Sequence, residues 1–182
     1  MREDFIETDF QVGAYYGVHV ISMGIHHNRG KTIIINYPGR NETADGRGEE
    51  YIEIANSVRE RCNVAFVRAS NPSSESCDYR SMVKQNLRQI IEYVTSNSDD
   101  ICGAAMPDIY LTGVSAGASA IAAIACEYPQ VKKILLVRFS DEAGGEDVLS
   151  GLSLFAGESY TAPWLNDEEV IRAFCGDKGT RL

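Results

Sequence analysis

Apolar and polar positions along this chain follow two rhythms, and the switches between them mark out its elements. Asp9–Tyr16 and Gly17–Ile25 read as two strands broken near Tyr16-Gly17. His26–Gly30 makes a turn, and Lys31–Tyr37 is a short β-branched apolar run of the kind that is buried on both faces. Pro38-Gly39 ends that run and a polar loop, Arg40–Gly48, follows. Ile52, Ile54, Ala55 and Val58 then mark a helix, and Cys62–Ser70 is a second buried-strand pattern ending at Asn71-Pro72. From Ser81 to Thr95, the set Met82, Val83, Leu87, Ile90, Ile91 and Val94 has helical spacing. Asp108–Val114 is the next strand, and the small residues from Ser115 to Tyr128 form a helix. Lys132–Ser140 is a further strand and Leu152–Glu158 a weaker one. Ala162–Gly176 is a helix with Pro163 at its start and Gly176 past its end.

Two opening strands followed by strands alternating with helices predict an α/β fold. The expected form is a three-layer α/β/α sandwich, with a mostly parallel sheet of about seven strands and helices on both faces. A length of 182 residues suits one domain with a full hydrophobic core.

Charge narrows the choice of partners. A formal net charge of -9 argues against a nucleic-acid backbone or an anionic membrane as partner. The opening MREDFIETDF has no apolar core like that of a secretory leader, and no stretch is long and apolar enough to predict a membrane span. The five cysteines, Cys62, Cys77, Cys102, Cys126 and Cys175, include no C-x-x-C pair. They predict unpaired, mostly buried thiols in a reducing, cytoplasmic setting, with no metal site and no cofactor. The loop Arg40–Glu50 lacks the spacing of a phosphate-binding loop and carries carboxylates. Asp99-Asp100 reads as a loop, and Asp167-Glu168-Glu169 as the first turn of a helix.

Candidate chemistry lies in Gly113-Val114-Ser115-Ala116-Gly117, a G-x-S-x-G pattern between a buried strand and a helix. A serine raised above a sheet needs a sharp turn, and crowding at that turn demands very small residues two positions before and after it. Gly113 and Gly117 meet that demand, and the helix that follows places its N-terminal N–H groups and dipole beneath the serine. With this context on both sides of the motif, the chain resembles the α/β-hydrolase family from about Asp9 to Thr180.

The resemblance implies a serine hydrolase acting on a small ester, thioester or amide, with Ser115 as nucleophile and a small-molecule acyl substrate. Pro38-Gly39-Arg40 stands where the family carries its oxyanion loop, which assigns the backbone N–H groups of Arg40 and Ala116 to the oxyanion hole. The family's chain order is serine, acid, histidine. Its G-x-x-D pattern is here Gly157-Glu158-Ser159-Tyr160, so the acid candidates are Asp141, just after the sixth strand, and Glu158. The histidines are His19, His26 and His27, all before Ser115. In the family's strand order, 1-2-4-3-5-6-7-8, His26 and His27 fall at the sheet edge away from the nucleophile. His19 falls on the correct edge but three strand spacings away, roughly 14 Å at about 4.8 Å each. The residues after Gly176 look like the approach to an eighth strand. The expectation is one domain over 1–182 ending before that strand, and a sheet edge left bare there would favour a homodimer. The alternative is an α/β-hydrolase-like binding or scaffold protein without catalysis.

Overall fold

The structure, a computed structural model, describes residues 3–11, 18–73, 78–137 and 159–162. The strands are β1 (Glu3–Gln11), β2 (Val18–His26), β3 (Thr32–Tyr37), β4 (Ala65–Ala69), β5 (Asp108–Val114), β6 (Val131–Val137) and β7 (Ser159–Ala162). The helices are α1 (Glu50–Arg61), α2 (Tyr79–Ser96), α3 (Ser98–Cys102) and α4 (Ala116–Ile124). The strands lie in one sheet in the order β1-β2-β4-β3-β5-β6-β7. The five strands from β4 to β7 in that order pair in parallel. β2 joins antiparallel to β4, and β1 antiparallel to β2. The sequence pattern thus predicts the α/β class and the mostly parallel sheet correctly.

Alternation along the central strands distributes side chains to two cores. Ile33, Ile35 and Tyr37 of β3, with Val67 of β4 and Leu111 of β5, pack with Val83, Leu87, Ile90 and Ile91 of α2 and with Ala118 and Ile121 of α4. The intervening residues Ile34 and Phe66, joined by Leu135 of β6, pack with Ala55 and Val58 of α1. A strand covered by helices on both faces has no solvent side. That is why β3 and β4 read as unbroken apolar runs with no polar alternation. The apolar stripe of α2 is continued into a defined start by Asp78, whose side chain accepts from the Arg80 N–H at 3.2 Å and from the Ser81 hydroxyl at 2.6 Å.

Several elements differ from the sequence expectation. β1 begins at Glu3, well before the expected start at Asp9. Its pairing with β2 over Glu3–His26 to Gln11–Val18 supplies hydrogen bonds that its mixed charge pattern does not advertise. Asp99 and Asp100, expected in a loop, lie in the first turn of the short helix α3. The expected weak strand Leu152–Glu158 lies outside the described residues, and β7 is described at Ser159–Ala162 instead. The helix expected over 162–176 also lies outside them. Cys62 is disulfide-bonded, which corrects the expectation of unpaired thiols. Sequence spacing cannot show a pair that only the fold brings together. Cys102 and Cys126 are free, and burial raises the Cys102 thiol above its ordinary range. Among the described residues no helix is long and apolar enough to cross a membrane.

Leu87 is fully buried between α2 and the sheet. Leu87→Ala is expected to lower the unfolding free energy by about 2–5 kcal/mol, measured by urea denaturation.

Candidate active site

The site is built where β5 stops and α4 starts. Gly113 is the register partner of Tyr37 in β3, and Val114 that of Val137 in β6. The Ser115 N–H donates to the Val137 carbonyl at 3.0 Å, a last bond to the sheet. Its own carbonyl accepts from the Ser119 N–H at 3.1 Å, the first bond of the helix. One residue therefore carries the whole change of direction. Its φ of 52° and ψ of -118° fall outside the left-handed well that a non-glycine residue with positive φ normally occupies. Such a conformation costs on the order of 1–3 kcal/mol and persists because the surrounding structure holds it. Ser115 is exposed, whereas Ala116 and the turn behind it are buried.

The two flanking glycines have separate steric reasons. A Cβ at Gly113 would stand 2.6 Å from Ile121 Cδ1 and 2.8 Å from the Ala118 nitrogen, both in α4. A Cβ at Gly117 would stand 2.3 Å from the Tyr37 carbonyl oxygen and 2.4 Å from that of Pro38. The first turn of α4 is thus pressed against the end of β3, and this places Pro38-Gly39-Arg40 beside Ser115. Both predicted oxyanion-hole residues lie on this edge of the sheet, Ala116 as the first residue of α4 and Arg40 in the loop after β3.

Polar groups that sequence reasoning missed hold that loop. Asn71, fully buried at the end of β4, donates from its Nδ2 to the Pro38 carbonyl at 3.2 Å. Its backbone brackets the loop. The Asn41 N–H donates to the Asn71 carbonyl at 2.9 Å, and the Asn71 N–H to the Glu42 carbonyl at 3.0 Å. The Tyr37 hydroxyl lies 2.8 Å from both Asn71 Oδ1 and the Val83 carbonyl. Glu42 accepts from the Gly39 N–H at 3.0 Å and from the Tyr51 hydroxyl at 2.9 Å. Burial holds the Tyr37 phenol well above its ordinary range, with Tyr79 adding to the rise. Burial also pushes Tyr51 up strongly, seconded by the charge of Glu42. Both hydroxyls are therefore neutral donors at physiological pH. The only sequence signal for Asn71 was its place in an Asn-Pro pair ending a strand.

Arg40 is exposed, but two neighbours fix its guanidinium. Nε donates to Ser73 Oγ at 3.2 Å, and the group lies 4.5 Å above the centre of the Tyr79 ring. Ser73 is fastened in turn through its N–H and hydroxyl to Asn41 Oδ1, at 2.9 and 2.6 Å. Burial pushes the Tyr79 phenol up to about 12, with the cation of Arg40 pulling the other way.

The histidines lie as expected relative to the site. His26 closes β2 opposite Phe66, toward the far edge of the parallel strands, and is fully buried. Its Nε2 accepts from Arg68 Nε at 2.9 Å, and Arg59 Nη1 lies 2.7 Å from its Nδ1. Arg68 also bonds Asp45 and folds over Gly24, its register partner, where a Cβ would stand 2.3 Å from Nη2. His27 Nε2 lies 3.1 Å from Asp4 Oδ2 and its Nδ1 3.1 Å from the Asp100 carbonyl. It lines a cavity of about 910 Å³ with Lys31 and Asp99, remote from Ser115. His19 pairs with Phe10 near the start of β2, on the Ser115 side of the sheet and three strands from β5. The acid candidates Asp141 and Glu158 lie outside the described residues.

Two substitutions check this construction. Gly117→Ala is expected to cost about 1–3 kcal/mol in urea unfolding despite the better helix propensity of alanine, because its Cβ has no room. Asn71→Ala is expected to cost about 2 kcal/mol or more by the same measurement, since it leaves the Tyr37 hydroxyl and the Pro38 carbonyl short of a partner.

No protein-family model matches the chain, and no curated protein matches it in sequence. Solved structures do resemble it. An esterase from an Arctic intertidal metagenomic library superposes with a TM-score of 0.61 at 10% identity, over 87% of this chain and 70% of that one. A lipase/esterase from Lactobacillus plantarum does so with a TM-score of 0.57 at 13% identity, over 88% of this chain and 76% of that one. An arylesterase gives 0.50 at 15% identity, over 74% of this chain, which spans only 44% of the arylesterase's length. Strand order, the turn at Ser115 and these likenesses together establish that the chain has the α/β-hydrolase fold.

Proposed function

We propose that this chain is a serine hydrolase of the α/β-hydrolase type that acts on a small ester, thioester or amide through Ser115. The observation that carries the reading is the backbone of Ser115 itself. A strained φ/ψ pair is kept at an exposed serine between two glycines that admit no side chain. Structure alone does not require the strain, since a glycine at this position would relieve it. The esterase character of the similar structures supports the same class of reaction.

In this reading Ser115 Oγ attacks the acyl carbon and its proton leaves. The carbonyl oxygen becomes an oxyanion facing the N–H groups of Arg40 and Ala116, with the N-terminal end of α4 behind them. The bond to the leaving group then breaks, the leaving group takes up a proton, and water hydrolyses the acyl-serine. The described histidine rings, His26 and His27, are held by other partners away from the site. The proton of Ser115 therefore goes to water or to a group outside the described residues, among which Asp141 and Glu158 are the proposed acids. A serine without an adjacent base is a weak nucleophile, and the oxyanion hole and binding alone leave about 10³–10⁴-fold catalysis over water. We place this activity in a three-layer α/β/α domain.

A second reading, a binding or scaffold protein that has kept the elbow without the chemistry, is favoured by the described histidine rings, His26 and His27, being held by other groups away from Ser115. A fluorophosphonate probe separates the two. Labelling of the folded chain at Ser115, read by peptide mass spectrometry and lost in Ser115→Ala, is expected. A folded sample that takes no label at Ser115 rules out the hydrolase reading.

A further inference from the structure

We propose that the Arg40 guanidinium is a carboxylate-recognition group, and that the Ser115 site prefers acyl substrates bearing a carboxylate a few carbons from the reacting carbonyl. The inference rests on the hydrolase reading above and adds the substrate class to it.

The chain has 26 carboxylates against 17 lysines and arginines, so a cation without a carboxylate partner is not its default. Arg68 and Arg88 are each paired, with Asp45 and with Glu127. Among the described residues Arg40 has no acidic partner. Its contacts are the neutral Ser73 hydroxyl and the face of Tyr79. These contacts use Nε and one face of the group and leave the paired Nη donors, the fork that matches a carboxylate, without an acceptor among the described residues. The fixation matters as much as the charge. Asn41 holds Ser73, Ser73 holds Nε, and the ring supports the plane, so little side-chain freedom remains to be lost when an anion binds.

Position supplies the link to chemistry. Arg40 follows Pro38 by two residues, which puts its Cα within about 7.6 Å of the Pro38 Cα. The carbonyl of Pro38 is one of the two atoms that crowd Gly117 in the first turn of α4. The backbone N–H of Arg40 is the proposed oxyanion donor, so its side chain leaves the chain at the reacting centre. A substrate whose carbonyl oxygen meets that N–H brings the next few carbons of its acyl chain within reach of the same residue's guanidinium. A carboxylate there replaces water on the Nη groups by charge-assisted bonds.

The test uses Arg40→Gln, which removes the charge and keeps the backbone N–H. Binding of glutarate and of the neutral glutaramide is measured by calorimetry on the wild type, Arg40→Gln and Ser115→Ala. Glutarate is expected to bind the wild type and Ser115→Ala alike and to weaken by roughly 10- to 100-fold in Arg40→Gln, while glutaramide binds none of them measurably. In parallel, hydrolysis of mono-p-nitrophenyl glutarate is expected to exceed that of p-nitrophenyl valerate in kcat/KM, and Arg40→Gln is expected to abolish the preference through KM. Equal glutarate affinity in the wild type and Arg40→Gln overturns the inference, as does glutaramide binding as tightly as glutarate, or no glutarate binding at all. Each of these outcomes leaves probe labelling of Ser115 untouched. Conversely, Arg40-dependent glutarate binding without labelling of Ser115 overturns the hydrolase reading and keeps the anion site.

Discussion

The closeness of α4 to the end of β3 is the constraint on which the rest of the site depends. A helix that starts immediately after a central strand must turn back across the neighbouring strand. Here it does so with Gly117 against the carbonyl oxygens of Tyr37 and Pro38. That approach admits no Cβ. It forces the reversal into a single residue, Ser115, and it brings the loop after β3 to the serine. The sharp turn at Ser115, the burial of Ala116 and the position of Arg40 all follow from it.

A second layer makes the approach stable. The end of β3 would carry unpaired polar groups if left to itself, and Asn71 and Glu42 satisfy most of them. Both residues come from loops that leave the same edge of the sheet. A buried network of this kind is worth having only when it is complete, because an unpaired buried group costs more than a bond gains. Its effect here is to fix a glycine-containing loop that would otherwise sample many conformations. Charge organises the flank of the sheet at β2, where Arg68 of β4 joins His26 of β2 to Asp45 of the loop after β3, and Asp4 meets His27. Those contacts tie the antiparallel strand β2 to its neighbours. They also occupy the rings of His26 and His27 away from Ser115.

Much of the fold was legible because periodicity survives without tertiary context. The runs Thr32–Tyr37 and Ala65–Ala69, and the stripe from Met82 to Val94, are apolar for reasons that hold wherever they pack. β1 was misplaced because its residues are acidic and mixed, and it is a strand by virtue of pairing with β2. α3 was read as a loop because five residues carry too little period to be seen. The disulfide at Cys62 had no signature in spacing.

By itself, the sequence determined the α/β class, the mostly parallel sheet, and the glycine-flanked serine between strand and helix. These are local or compositional properties, set by side-chain size and by the period of burial. Only the tertiary structure decided that Ser115 is strained, that Asn71 and Glu42 hold the loop after β3, and that Arg40 is pinned by Ser73 and Tyr79 with no acidic partner among the described residues. Each depends on atoms brought together from distant parts of the chain, and no pattern along one segment records which groups the fold leaves satisfied and which it leaves open.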